Sequence, residues 1–111
     1  MSTTAQNINI VTDLSALAKD MMDSASNSMT RNEYGDKHGD YFTLAENANG
    51  EGLYVAATEV ANVEVTGKSY YTIHVVDDIT ESDCELHYTD DLSEDAVVRV
   101  LEEIVECFSV A

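Results

Sequence analysis

Apolar residues recur at helical spacing at both ends of the chain and alternate with polar residues in between. Leu14, Leu17, Ala18, Met21, Ala25 and Met29 give one stripe, so the spacing predicts an amphipathic helix over 13–29. Thr12 or Asp13 supplies its N-cap. Val97, Val100, Leu101, Ile104, Val105 and Phe108 give a second, stronger stripe. Before it, Asp91-Leu92-Ser93-Glu94 fits a capping box with Asp91 as N-cap; Ser93 is the alternative cap.

The middle of the chain reads as strands. The polar stretch Thr30 to Asp40, with Gly35 and Gly39, reads as a loop. Tyr41 to Glu46 and Leu53 to Thr58 flank the turn-rich Asn47–Gly52 segment. Glu59 to Thr66 and Ser69 to Val76 flank Gly67-Lys68, and Cys84 to Thr89 alternates in period two. Side-chain parity argues for an odd loop of three or five residues at Gly67-Lys68. That loop pairs Val65 with Tyr71, Val63 with Ile73 and Ala61 with Val75, and puts Tyr70, Thr72 and His74 on the other face. In the last strand, Cys84, Leu86 and Tyr88 are expected to point inward, and Glu85 and His87 outward beside Asn62, Glu64, Thr72 and His74.

These elements predict an α+β fold: a two-layer sandwich with a four- to five-stranded antiparallel sheet and both helices on one face. The 111 residues, 44% of them hydrophobic, suit one domain with a real core. Residues 1–10 are expected to be a loosely packed segment. No apolar run reaches the ~20 residues of a membrane helix, and the polar N-terminus lacks a secretory pattern. Cys84 and Cys107 read as free thiols, which points to the cytoplasm.

Charge changes the picture most. There are 22 acidic and 5 basic side chains, for a net charge of −17. No Lys or Arg lies between Lys68 and Arg99, whereas Asp77, Asp78, Glu81, Asp83, Glu85, Asp90, Asp91, Glu94 and Asp95 all do. Such self-repulsion weakens a compact state. The balance excludes direct binding of nucleic acid, which needs Lys and Arg, and of anionic membranes. It favours basic proteins or cations as partners.

On the last helix, Glu94 and Asp95 suit the N-terminal dipole, whereas Glu102, Glu103 and Glu106 sit late, where it opposes them. Arg99 is spaced to pair with Asp95 and Glu103. Tyr70, expected on the open face, is a candidate interface anchor. The weaker chemistries are a hard-cation site from Asp77, Asp78, Glu81 and Asp83, which lacks EF-hand spacing, and a Cys84 thiol with His74 or His87 as base. His74 and His87 are placed to meet across neighbouring strands. No cofactor, metal site or catalytic group is assigned; the expectation is a protein that is not an enzyme.

In size, absence of a signal and its carboxylate run, the chain resembles the small acidic inhibitors of phages and mobile elements: anti-CRISPR and anti-restriction proteins that imitate DNA. The resemblance implies a partner among basic nucleic-acid-binding proteins, either a nuclease or a CRISPR effector subunit. The partner-binding candidates are the nine carboxylates from Asp77 to Asp95, with Glu102, Glu103, Glu106 and Tyr70. Two other readings remain: an immunity or secretion-chaperone-type binding module, which would dimerise, and a halophile's housekeeping domain. The inhibitor is expected as a monomer or homodimer.

Overall fold

The computed structural model describes residues 8–29, 36–60, 69–80 and 85–110. The elements in order are β1 (Asn9–Ile10), α1 (Leu14–Ser26), β2 (Lys37–His38), β3 (Phe42–Glu46), β4 (Gly52–Val60), β5 (Tyr70–Asp77), β6 (Glu85–Tyr88) and α2 (Glu94–Val110). The fold is α+β. An antiparallel sheet runs β1-β3-β4-β5-β6, with β2 also on β4, and both helices cover one of its faces.

Each helix starts where its capping chemistry dictates. The Asp13 carboxylate accepts from the Ala16 N–H at 3.0 Å. Ser93, the second of the two expected caps, accepts from the Ala96 N–H at 3.2 Å, and the Asp91 carboxylate steadies that turn by accepting from the Ser93 N–H at 2.8 Å. Leu17, Ala18, Met21 and Ala25 of α1 and Val97, Val100, Leu101 and Ile104 of α2 are buried against the sheet. Helix α1 ends at Ser26, so Met29, expected on its stripe, is almost fully exposed. Asn9–Ile10 pair with β3, and Ile8, Ile10 and Val11 pack on the core, so the loose segment expected over 1–10 does not extend to these residues.

The sheet corrects the expected strand pairing. One strand, β4, runs across the boundary expected between Leu53–Thr58 and Glu59–Thr66, whose residues 61–66 lie outside the described ones, and it pairs with β3 and β2 on one side and β5 on the other. Tyr71 partners Glu59, and Ile73 partners Ala57, so the tight hairpin expected to pair Tyr71 with Val65 is not formed. The parity nonetheless held for β5: Tyr71, Ile73 and Val75 face the helices, and Tyr70, Thr72 and His74 face away. For β6 it is inverted. His87 pairs with Ile73, on the helix side, while Leu86 and Tyr88 take the open face at 45% and 60% exposure. β6 lies at the sheet's edge, so its alternation does not report burial.

Segment 36–40 belongs to the polar stretch expected as loop, yet Lys37–His38 pair with β4 ahead of β3. The chain can lie there because Gly39 has no side chain. A Cβ at that position would stand 2.9 Å from the Ala25 nitrogen and 3.1 Å from the Ala57 oxygen. Ser24 accepts from the Asp40 N–H at 2.9 Å, and the Ser28 hydroxyl donates to the His38 carbonyl at 2.6 Å. The last turn of α1 and the residues after it thus clamp β2 onto the sheet.

Candidate functional site

The two faces of the molecule differ in charge. On α1, Asp20 and Asp23 lie opposite the buried stripe, with Lys19 beside them. On α2, Asp95, Glu102, Glu103 and Glu106 are exposed opposite Val97, Val100, Leu101 and Ile104. The helices pack on each other, so these exposed carboxylates belong to one helix layer, with Asp23 also near enough to Tyr71 to act on its phenol. Helical neighbours three or four apart stand about 5–6 Å from each other. The Arg99 guanidinium does not take the expected partners Asp95 and Glu103. It reaches Asp90 at 3.4 Å, in a pair exposed at both ends and so worth little.

Helix α2 continues to Val110, which moves Glu102 and Glu103 about two turns from its end. Macrodipole effects fade within the last turn. The opposition expected for three glutamates therefore falls mainly on Glu106. The surface is notable for its layout, not for electrostatic strain along the helix.

The other expected carboxylates divide between two ends of the sheet. Asp77 closes β5 by accepting from the N–H groups of Ile79 and Thr80, at 3.0 and 2.9 Å, and from the Thr80 hydroxyl. Asp78 beside it is exposed, and its N–H donates to the Gly52 carbonyl at 3.0 Å. Thr89 bonds to Tyr71, so Asp90 and Asp91 emerge at the opposite end of β5, roughly 20 Å from Asp77. Glu94 and Asp95 occupy the first turn of α2, where the dipole stabilises them. Glu81 and Asp83 lie outside the described residues, as do Cys84, Asn62 and Glu64. Asp77, Asp91, Glu94 and Asp95 each have a local structural role and Asp90 pairs with Arg99, which leaves Asp78, Glu102, Glu103 and Glu106, among the expected carboxylates whose side chains are described, without one.

The opposite face holds a cluster that the sequence reading missed. His38 Nδ1 shares a hydrogen bond with the Thr58 hydroxyl at 2.6 Å. The His38 ring meets His74 edge to face, centroids 5.3 Å apart, and Tyr41 at 5.9 Å. His74 Nε2 lies 3.4 Å from the Thr72 hydroxyl. Burial lowers the His74 pKa below its ordinary 6.5, and the neighbouring His38 adds to the shift. Tyr70, as expected, lies on this face, half-buried with its ring 5.9 Å from Tyr88. His74 and His87 do not meet, because register places them on opposite faces. The missed member was His38, which sits in a polar stretch with no periodic signal.

A third network ties the layers together. The Ser26 hydroxyl donates to Glu59 at 3.1 Å and also bonds to the Tyr71 phenol. The phenol's pKa is raised chiefly by burial, then by Glu59 and Asp23; only the Ser26 bond opposes this. These contacts hold the end of α1 to β4 and β5.

Among the described residues, no group of three or more His, Cys, Asp or Glu is placed to hold a metal ion, and no helix is long and apolar enough to cross a membrane. Searches of protein-family models, curated proteins and solved structures find no match to this chain.

Proposed function

We propose that this chain is a non-enzymatic inhibitor of a basic nucleic-acid-processing protein, a CRISPR effector or restriction-type nuclease in the host cytoplasm. Its helix layer docks in a cationic groove and keeps nucleic acid out. The observation that supports this most is the set of exposed carboxylates, Asp20, Asp23, Asp95, Glu102, Glu103 and Glu106, carried by two packed helices. Lys19 and Arg99 share these two helices, and Arg99 is drawn towards Asp90. Carboxylates at such intervals on a scaffold held by a packed core present a fixed anionic row, as a polynucleotide does. Attraction of this kind steers association and weakens steeply with salt.

The test is competition. Labelled duplex or guide-bound target is held by purified effectors and nucleases of these two classes, and the protein is added. Displacement that fades with rising salt, and in a triple Glu102→Gln, Glu103→Gln, Glu106→Gln variant, supports the reading. Failure to displace nucleic acid from any of them contradicts it. The exposed, uncharged sheet face with Leu86 and Tyr88 favours a second reading, a protein-binding module of the immunity or secretion-chaperone type.

A further inference from the structure

The open face of the sheet lacks what the rest of the surface has in excess. Its described positions on β4, β5 and β6 are Gly52, Tyr54, Ala56, Thr58 and Val60, then Tyr70, Thr72, His74 and Val76, then Leu86 and Tyr88. None carries a carboxylate, an amine or a guanidinium. In a chain of net charge −17, eleven uncharged positions on one face are a conspicuous exception; Gly52, Ala56, Thr58 and Thr72 among them are buried beneath their larger neighbours. Three of the four large hydrophobic side chains that are exposed among the described residues, Tyr41, Leu86 and Tyr88, lie on this side. Glu46, at the β3 margin, is the nearest charge placed by the pairing.

We propose that this face packs against the same face of a second copy of the chain, giving a two-fold dimer with both helix layers outward. Charge argues for that occupant. A basic partner gains nothing on an uncharged surface when the helix layer offers carboxylates. An acidic partner is repelled by the molecule as a whole. Two copies meeting through this face keep their helix carboxylates as far apart as the fold allows. Facing sheets pack about 10 Å apart, and each helix layer adds about 10–12 Å, which puts the two anionic surfaces on the order of 30 Å from each other. That exceeds three Debye lengths at physiological salt, so their repulsion is largely screened.

Size sets the strength of the contact. β3, β4, β5 and β6 have five, nine, eight and four residues. At about 3.3 Å per residue and about 4.8 Å per strand, they present roughly 400 Å² per copy. Two copies then bury about 800 Å², the size of a weak, reversible contact. The contact is isologous, so every contact that Tyr88, Leu86, Tyr70 or an imidazole makes across the axis occurs twice. This inference stands apart from the inhibitor reading, since it uses the other face.

Sedimentation equilibrium on the intact chain, from about 1 to about 100 μM, tests it. The expected result at about 0.15 M salt is reversible dimerisation that weakens at about 0.01 M, where the Debye length grows to about 30 Å. Leu86→Glu and Tyr88→Glu each place a carboxylate in the contact and should raise the dissociation constant at least about tenfold. Both side chains are exposed in the single chain, so the fold should persist, with circular dichroism as the check. Glu102→Lys on the helix layer should leave the dimer intact. A monomer mass for the unaltered chain at the highest concentration overturns the proposal. So does a dimer that survives Leu86→Glu and Tyr88→Glu, or one that dissociates with Glu102→Lys instead.

Discussion

The imidazoles of His38 and His74 meet edge to face, 5.3 Å between centroids, across the intervening strand β4. One comes from a two-residue strand inside a polar stretch, the other from the middle of β5. His38 is held by Thr58, and its backbone is clamped by Ser28 and the Gly39 N–H bond to Ala57. This contact, with Tyr41 and Thr72 around it, joins β2 to β5 on the uncharged face.

The pair makes stability depend on pH. His74 has a lowered pKa in the fold, so below pH 6.5 the unfolded chain binds more protons than the native one. Stability therefore falls as pH drops through 6.5 towards the native value, and the contribution is complete only above 6.5. Urea midpoints should decrease between about pH 7.5 and about pH 5.5, above the range where most carboxylates titrate. His74→Gln, which cannot gain a proton, should flatten that slope. Equal slopes in both proteins would show that His74 is not the group responsible.

Gly39 is required by close approach. Gly39→Ala pushes a methyl carbon against the Ala25 nitrogen and the Ala57 oxygen, both backbone atoms. Neither can rotate away, so the variant should lose about 1–3 kcal/mol in chemical denaturation, as overpacked sites do. An unchanged midpoint would mean that the α1–β2 contact is looser than described.

Asn47 organises the β3–β4 turn. Its side-chain oxygen accepts from the N–H groups of Asn49 and Glu51, at 3.0 and 2.9 Å, its amide donates to the Glu51 carboxylate at 2.8 Å, and Gly50 follows at φ 85°. Asn47→Ala removes all three bonds and should cost about 1–3 kcal/mol. Asn47→Asp should cost less, because it keeps the acceptor but faces Glu51. Thermal melts of the two variants give the order.

The core makes a simpler demand. Met21 and Leu101 are fully buried, one on each helix. Either residue changed to Ala should cost about 2–5 kcal/mol, with the larger loss wherever neighbours cannot collapse into the cavity.

Both helices were legible in the sequence because 3.6-residue periodicity and capping chemistry are local signals. Val97, Val100, Leu101 and Ile104 are buried as their spacing predicts, and one of the two expected caps, Ser93, starts α2. The inward side of β5 was legible for the same reason. Pairing was not. Leu53–Val60 is apolar enough on both sides to accept several partners, and only the packed helices select the register that sets Ala57 beside Ile73. The β6 alternation was legible but its direction was not, because an edge strand can turn apolar residues outward. The anionic surface was foreshadowed by composition. Its position was not, since Asp77 and Asp90 stand at two ends of β5, while Glu102, Glu103 and Glu106 are exposed in the same helix layer as Asp20 and Asp23. His38 gave no signal, as its site exists only through tertiary contacts with Thr58 and His74.

The central claim is that cationic surfaces meet the helix layer and not the sheet. Residue-resolved NMR of the isotopically labelled chain, titrated with an arginine-rich peptide at about 0.15 M salt, tests it most directly. The account predicts shifts at Asp20, Asp23, Glu102, Glu103 and Glu106 that shrink as salt rises, while Thr72, His74 and Leu86 stay in place. Shifts centred on the open sheet face, or spread equally over both faces, would contradict it.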